Sequence, residues 1–177
     1  MSGQIQHLTA FIALGANMPF EGLQGPELLA AAITALGEAS LAPRAVSSVW
    51  QTEAWPHGSG QPDYFNAVVE IDAQGMTPEG VYAVLAQIER RFGRERREQW
   101  APRTLDLDIL SMDGFIGAFG GIKLPHQRMG ERAFVLAPLA EIAPNWRHPV
   151  SGMTASALLA GLPCGYRYQK VGAIPSS

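Results

Sequence analysis

Six stretches in the first 110 residues alternate between strand-like and helix-like hydrophobic spacing, and their order leaves few folds open. Residues 8–14 read as a buried strand, stopped by Gly15 and the turn former Asn17. Pro26 sits where the first turn of a helix tolerates it, and Leu28, Leu29, Ala32, Ile33 and Leu36 follow at helical spacing up to Gly37. Ala45–Thr52 reads as a strand with Val46 and Trp50 on one face, and 53–62, with two Pro and two Gly, reads as a loop. In Phe65–Asp72, Ala67, Val69 and Ile71 face one way while Asn66, Val68, Glu70 and Asp72 face the other. Thr77-Pro78 opens a second helix that carries Val81, Leu85, Ile88 and Phe92 and stops at Gly93, and Thr104–Leu110 is a fourth strand. The β-α-β-β-α-β order predicts a ferredoxin-like α+β sandwich, with helices packed on an antiparallel sheet. Lys123–His126 adds a short extended piece, and Phe134–Ile142 and Thr154–Leu159 add apolar segments, the first interrupted by Pro138. Phe115–Ile122, rich in glycine, has no spacing that indicates a structure.

With 177 residues, 47% of them hydrophobic and 16% charged, the chain has material for a single buried core, and no repeat or linker divides residues 1–177. No window approaches 18 uninterrupted apolar residues, so no membrane span is expected. The first ten residues lack a basic flank, and the lone Cys164 excludes an internal disulfide. A cytoplasmic protein is the simplest expectation. A net charge of −3 gives no overall attraction to nucleic acid, and none is expected as a partner.

The distribution of charge is more informative than its sum. Arginine outnumbers lysine 11 to 2, and six arginines (Arg90, Arg91, Arg94, Arg96, Arg97 and Arg103) fall between positions 90 and 103. Guanidinium groups grip phosphate oxygens in pairs of parallel hydrogen bonds. This cluster runs directly into Thr104–Leu110, where Leu105, Leu107 and Ile109 alternate with Asp106 and Asp108. On a strand the two carboxylates share a face with Cα atoms about 6.5–7 Å apart. So close a pair repels unless cations intervene, and Mg²⁺ uses one or two carboxylates and completes its shell with water and phosphate oxygens. Alone, the pair reads equally well as the solvated face of an edge strand. Beside the arginines it fits phosphoryl transfer, in which metal ions and guanidinium groups stabilise the transferred charge. No Gly-x-x-x-x-Gly-Lys-Ser/Thr loop is present, which excludes a P-loop enzyme. Tyr64 and Asn66 form a second cluster, a flat ring and an amide suited to the edge of a heteroaromatic ring.

Several blocks together resemble the 6-hydroxymethyl-7,8-dihydropterin pyrophosphokinase family. They are residues 11–17, 61–69, Ile88-Glu89 with Gly93-Arg94, and the run from Trp100 through Pro102-Arg103-Thr104-Leu105-Asp106-Leu107-Asp108 to Ile109. Leu124-Pro125-His126, Met129, Arg132 with 134–136, and 138–144 complete the set, which covers roughly residues 8–150 in family order. The resemblance implies a ferredoxin-like fold, frequently monomeric, that transfers diphosphate from ATP to the pterin hydroxymethyl oxygen and releases AMP. By position it implies that Asp106 and Asp108 hold two Mg²⁺ ions and that Arg94 and Arg103 stabilise the transferred charge. Tyr64 and Phe134 would sandwich the pterin, with Asn66 and the backbone near Thr52 reading its polar edge. Glu89, Arg96, Trp100, His126 and Arg132 would line the ATP site, and the resemblance does not separate Arg96 from Arg97 by role. Ala86 and Gly121 stand where some relatives carry polar ATP contacts, which implies weaker nucleotide binding.

Overall fold

A computed structural model describes residues 7–54, 60–94, 104–165 and 167–176. Along the chain run β1 (Thr9–Ala16), α1 (Pro26–Glu38), β2 (Pro43–Val46), β3 (Val49–Thr52), β4 (Tyr64–Asp72), α2 (Pro78–Arg91) and β5 (Asp106–Met112). A hairpin of β6 (Gly117–Phe119) and β7 (Ile122–Leu124) follows, then a 3-10 turn (Met129–Glu131), α3 (Ala133–Ile142), α4 (Ala155–Ala160) and β8 (Tyr168–Gly172). The main sheet has the order β5-β1-β4-β3-β8, with β2 also paired to β4, and its pairings are antiparallel. Counting β2 and β3 as one interrupted strand, the fourth, first, third and second strands of the βαββαβ unit lie side by side. The fold is the ferredoxin-like α+β arrangement expected from the segment order.

The first strand runs through Gly15 to Ala16 rather than stopping at Gly15, and the second strand departs further from the expectation. Val46 lies opposite Val69 but Trp50 lies opposite Asn66, so four steps on this strand match three on β4. One extra residue reverses the alternation, and Val46 and Trp50 point to opposite faces rather than sharing one. The ladder continues through the break because the Ser47 N–H donates to the Val68 carbonyl at 3.0 Å. In return the Ser47 hydroxyl accepts the Val68 N–H at 2.9 Å.

Period-two alternation divides the sheet into two apolar faces. Ile12, Leu14, Val69, Ile71 and Leu107 join Leu28, Leu36 and Leu85 of α1 and α2 in the larger core. Phe11, Val68 and Leu110 join Val135, Leu139 and Ala155 of α3 and α4 in a smaller core on the other face. The expected split of Ala67, Val69 and Ile71 from Val68 therefore holds. The two C-terminal apolar segments are helices, and Pro138 sits inside α3 without ending it.

Two local devices place chemistry-bearing residues. On β5 the register passes from Phe11–Ser111 to Ile12–Ile109, which leaves Leu110 as a bulge. The Leu110 carbonyl then accepts the His126 N–H at 2.8 Å, which anchors the segment after β7 beside the acidic strand. Within Phe115–Ile122, Gly120 and Gly121 both have positive φ and make the two-residue turn between β6 and β7. At the end of α2, Gly93 has φ +75°, and a Cβ there would lie 2.5 Å from the Phe20 ring. The helix must stop there, and the chain turns so that the Arg94 N–H donates back to the Glu89 carbonyl at 3.0 Å.

Candidate active site

Residues directly opposed across a sheet point to the same face. Asp106 is opposed by Gly15, Gly15 by Asn66, and Asn66 by Trp50, so one row crosses four strands. In the next row Asp108 is opposed by Ala13 and Ala13 by Val68. The central strand thus offers no side chain beside Asp106 and only a methyl beside Asp108, a low floor between taller walls. Two strand spacings separate Asn66 from Asp106, about 10 Å between Cα atoms.

The acidic strand is tied to α2 by a buried carboxylate. Glu89, 5% exposed, accepts the Leu107 N–H at 2.8 Å and the Arg94 guanidinium. Arg94 also reaches Asp106 at 2.8 Å. Burial pushes the Glu89 carboxyl above the usual carboxylate range, while the Leu107 amide and Arg94 pull it back. Burial and then the Asp106 charge push Asp108 up as well, opposed by His126, Arg132 and Arg94. Burial lowers His126, and its Nδ1 accepts the Arg128 N–H at 3.3 Å, so the neutral ring presents Nε2–H as a donor. Burial and the Arg128 charge lower Arg132, which stays cationic at neutral pH. Asp106, Asp108, Glu89, Arg94, His126 and Arg132 therefore form one electrostatic cluster.

Among the described residues no group of three His, Cys, Asp or Glu converges as a metal site, so a metal would rest on the Asp106–Asp108 pair. Two hard oxygen donors with room for further ligands suit Mg²⁺. Thr104 Oγ1, buried at the entry to β5, has no hydrogen-bond partner among the described residues.

The second sequence cluster shares this face of the sheet. Asn66 Nδ2 donates to Thr52 Oγ1 at 2.9 Å, and Thr52 lies opposite Tyr64. Asn66 is 4% exposed, so burial and its partners hold the amide in one orientation. Phe134 is exposed in the first turn of α3, with the Arg132 guanidinium 5.5 Å from its ring centroid. Arg96, Trp100 and Arg103 lie outside the described residues. Sequence reasoning missed Ala13 and Trp50 as parts of this face. The small-residue stretch in β1 carried the first signal, whereas the second was hidden by the extra residue at the Ser47–Ser48 break.

The model of the 7,8-dihydro-6-hydroxymethylpterin-pyrophosphokinase (HPPK) family matches residues 11–144. The chain belongs to the HPPK family. A 2-amino-4-hydroxy-6-hydroxymethyldihydropteridine pyrophosphokinase of Synechocystis sp. is 39% identical over 158 residues, covering 88% of this chain and 76% of the relative. The HPPK relative of Pseudomonas aeruginosa with the same name is 38% identical, covering 86% and 91%. In fold, the chain resembles the wild-type HPPK-DHPS of Plasmodium falciparum with a TM-score of 0.66 at 13% identity. That alignment covers 88% of this chain and 44% of the Plasmodium chain, so this chain spans under half of that protein. The acidic pair, the arginines and the Tyr64–Asn66 cluster all fall within the span that the HPPK family model matches.

Proposed function

We propose that the two ends of the Asp106–Gly15–Asn66–Trp50 row bind the two substrates of one diphosphoryl transfer. The reaction is that of the HPPK family: ATP gives its β,γ-diphosphoryl unit to the hydroxymethyl oxygen of 6-hydroxymethyl-7,8-dihydropterin in folate biosynthesis, and AMP leaves. The hydroxymethyl oxygen forms a bond to the β-phosphorus, and the bond from that phosphorus to the α-bridging oxygen breaks. In the proposed site the pterin lies between Tyr64 and Phe134, with its polar edge on Asn66 and the backbone near Thr52. The triphosphate lies over Asp106 and Asp108.

The single observation that carries this reading is the sheet row itself. It sets a buried, oriented amide and a carboxylate pair on one face, about 10 Å apart across a floor of small residues. That separation suits a bicyclic ring whose reacting arm must reach phosphate. Two Mg²⁺ ions held by Asp106 and Asp108 would supply charge neutralisation on the diphosphoryl oxygens. Arg94 and Arg103 add guanidinium donors for the charge that develops on the transferred group. Glu89, His126 and Arg132 lie on the nucleotide side, where the neutral His126 offers Nε2–H to a phosphate oxygen, and the family resemblance assigns Arg96 and Trp100 to the same substrate. Positioning and electrostatics carry the rate, without a covalent enzyme intermediate. Mg²⁺ number, a single domain over residues 1–177, a monomeric state, a cytoplasmic setting and the lack of a nucleic-acid partner are parts of the same proposal. Among the described residues, no helix is long and apolar enough to cross a membrane.

The test is release of AMP from ATP and Mg²⁺ with and without 6-hydroxymethyl-7,8-dihydropterin. AMP that depends on the pterin is expected. ADP in its place would overturn the chemistry, and folded protein with no nucleotide product would mean a binding domain rather than an enzyme.

A further inference from the structure

The block 138–144 matches the family pattern and lies in and just after α3, on the sheet face that carries the Asn66 cluster. Its one charged residue, Glu141, is a hub. Oε1 accepts the Ser48 hydroxyl at 2.7 Å and Lys170 Nζ at 2.9 Å. Oε2 accepts Trp50 Nε1 at 2.9 Å and the Ser48 N–H at 3.2 Å. The donors come from the β2–β3 break, from β3 and from β8, so one carboxylate joins α3 to three separate pieces of the sheet. An exposed Lys–Glu pair by itself contributes little, but four donors on one carboxylate fix a helix in both position and rotation.

That helix carries Phe134. Glu141 follows it by seven residues, so the two lie on one helix face about 10 Å apart along the axis. The hub touches the pterin half of the site by a second route. Trp50 opposes Asn66 in the sheet row, and its carbonyl accepts Asn66 Nδ2 at 3.4 Å. None of the four donors belongs to β5, which is separated from β3 by β4 and β1.

We propose that Glu141 is a positioning residue for the pterin half of the site, holding Phe134 of α3 and Trp50 of β3 in register through the Ser48–Trp50–Lys170 donor set. This rests on the pterin reading of Phe134 given above. Strand β8 is then a support of substrate binding as well as an extra sheet edge.

Pterin Kd is measured by calorimetry in the full chain, with the nucleotide site saturated by Mg²⁺ and α,β-methylene ATP, which is blocked at the bond that breaks. The variants are Glu141→Gln, Lys170→Met, Phe134→Ala and the Glu141→Gln/Phe134→Ala double. Glu141→Gln is expected to raise the pterin Kd roughly 10-fold, the size of one lost charged hydrogen bond, while the Kd of the nucleotide analogue changes less than about twofold. In the Phe134→Ala background the same change should add less than about twofold, because the residue it positions is gone. Lys170→Met, which removes one donor of four, should raise the pterin Kd by a smaller factor and tests the idea if Glu141→Gln does not fold. Equal losses for pterin and nucleotide, full additivity in the double variant, or an unchanged pterin Kd would overturn the proposal. An unchanged pterin Kd in Phe134→Ala would instead overturn the pterin reading of that ring, and this inference with it.

Discussion

Asp108, proposed above as a metal ligand, is a burden on the resting fold. Its carboxyl is pushed up by burial and by Asp106. A raised acid binds its proton more tightly when folded, so the ionised form subtracts stability at neutral pH. Asp108→Asn removes that charge at constant shape. Its thermal midpoint is expected to equal or exceed that of the native chain, while turnover falls by a factor on the order of 10³. A variant that keeps most of its turnover would remove Asp108 from the metal pair. Thr52 sits at the other end of the face, where its hydroxyl accepts the buried Asn66 amide. Thr52→Val removes the shortest of the three bonds that Asn66 Nδ2 donates and leaves only the Trp50 and Tyr64 carbonyls at 3.4 Å, so a rise in pterin KM worth about 1 kcal/mol is expected, with the KM for ATP unchanged. Steady-state kinetics with each substrate varied in turn checks it.

At the level of elements, the end of α2 governs where the arginine-rich segment begins. Gly93 combines a left-handed φ with contact against Phe20, and Arg94 is the next residue. Gly93→Ala is expected to destabilise the chain by about 1–2 kcal/mol from backbone strain alone, with a further loss if Phe20 cannot yield. Because the turn also aims Arg94 at Glu89 and Asp106, kcat should fall more than a surface change of equal stability cost. Denaturant unfolding and kcat measured on one preparation separate the two effects. The first two helices and most strands were legible in sequence because their hydrophobic periods are bounded by Pro, Gly and Thr. Thr77, for example, caps α2 through Gly80 at 3.2 Å. By contrast, α3 and α4 read only as apolar segments, and β8 (Tyr168–Gly172), an exposed edge strand, gave no signal. The break in the second strand was not legible, because one inserted residue changes facing without changing composition. The β6–β7 hairpin did carry a local signal, the Gly120-Gly121 pair.

On the scale of the whole molecule, Glu141 links α3, β3 and β8, and its ionisation is coupled to folding. Burial opposes its charge, but hydrogen bonds from Lys170, Ser48 and Trp50 outweigh that and hold the carboxyl below its ordinary value. A depressed acid contributes stability in full above the unfolded pKa, about 4.3 for Glu, and loses it as pH falls through the lower folded value. The native chain should therefore lose stability on acidification below that range. Glu141→Gln should be less stable at neutral pH and show a shallower acid limb, so that the two curves converge at low pH. Thermal midpoints taken across pH 3 to 7, roughly the span over which carboxylates titrate, decide it, and parallel curves would detach Glu141 from acid stability.

The β-α-β-β-α-β order of the first 110 residues, the acidic pair on one strand face and the family were legible in the sequence alone, because they depend on spacing within segments and on the order of those segments along the chain. Periodicity within β5 suffices to put Asp106 and Asp108 together. Only the tertiary structure decided which strand lies between Asp106 and Asn66, and that α3 and α4 pack over Phe11, Val68 and Leu110 on the same face that carries the Asp106–Asn66 row. It likewise decided that a carboxylate at position 141 meets donors 91 and 93 residues away in the chain. Those facts depend on register and on contacts between distant segments, where a one-residue shift reverses every side chain. Local spacing holds no record of them.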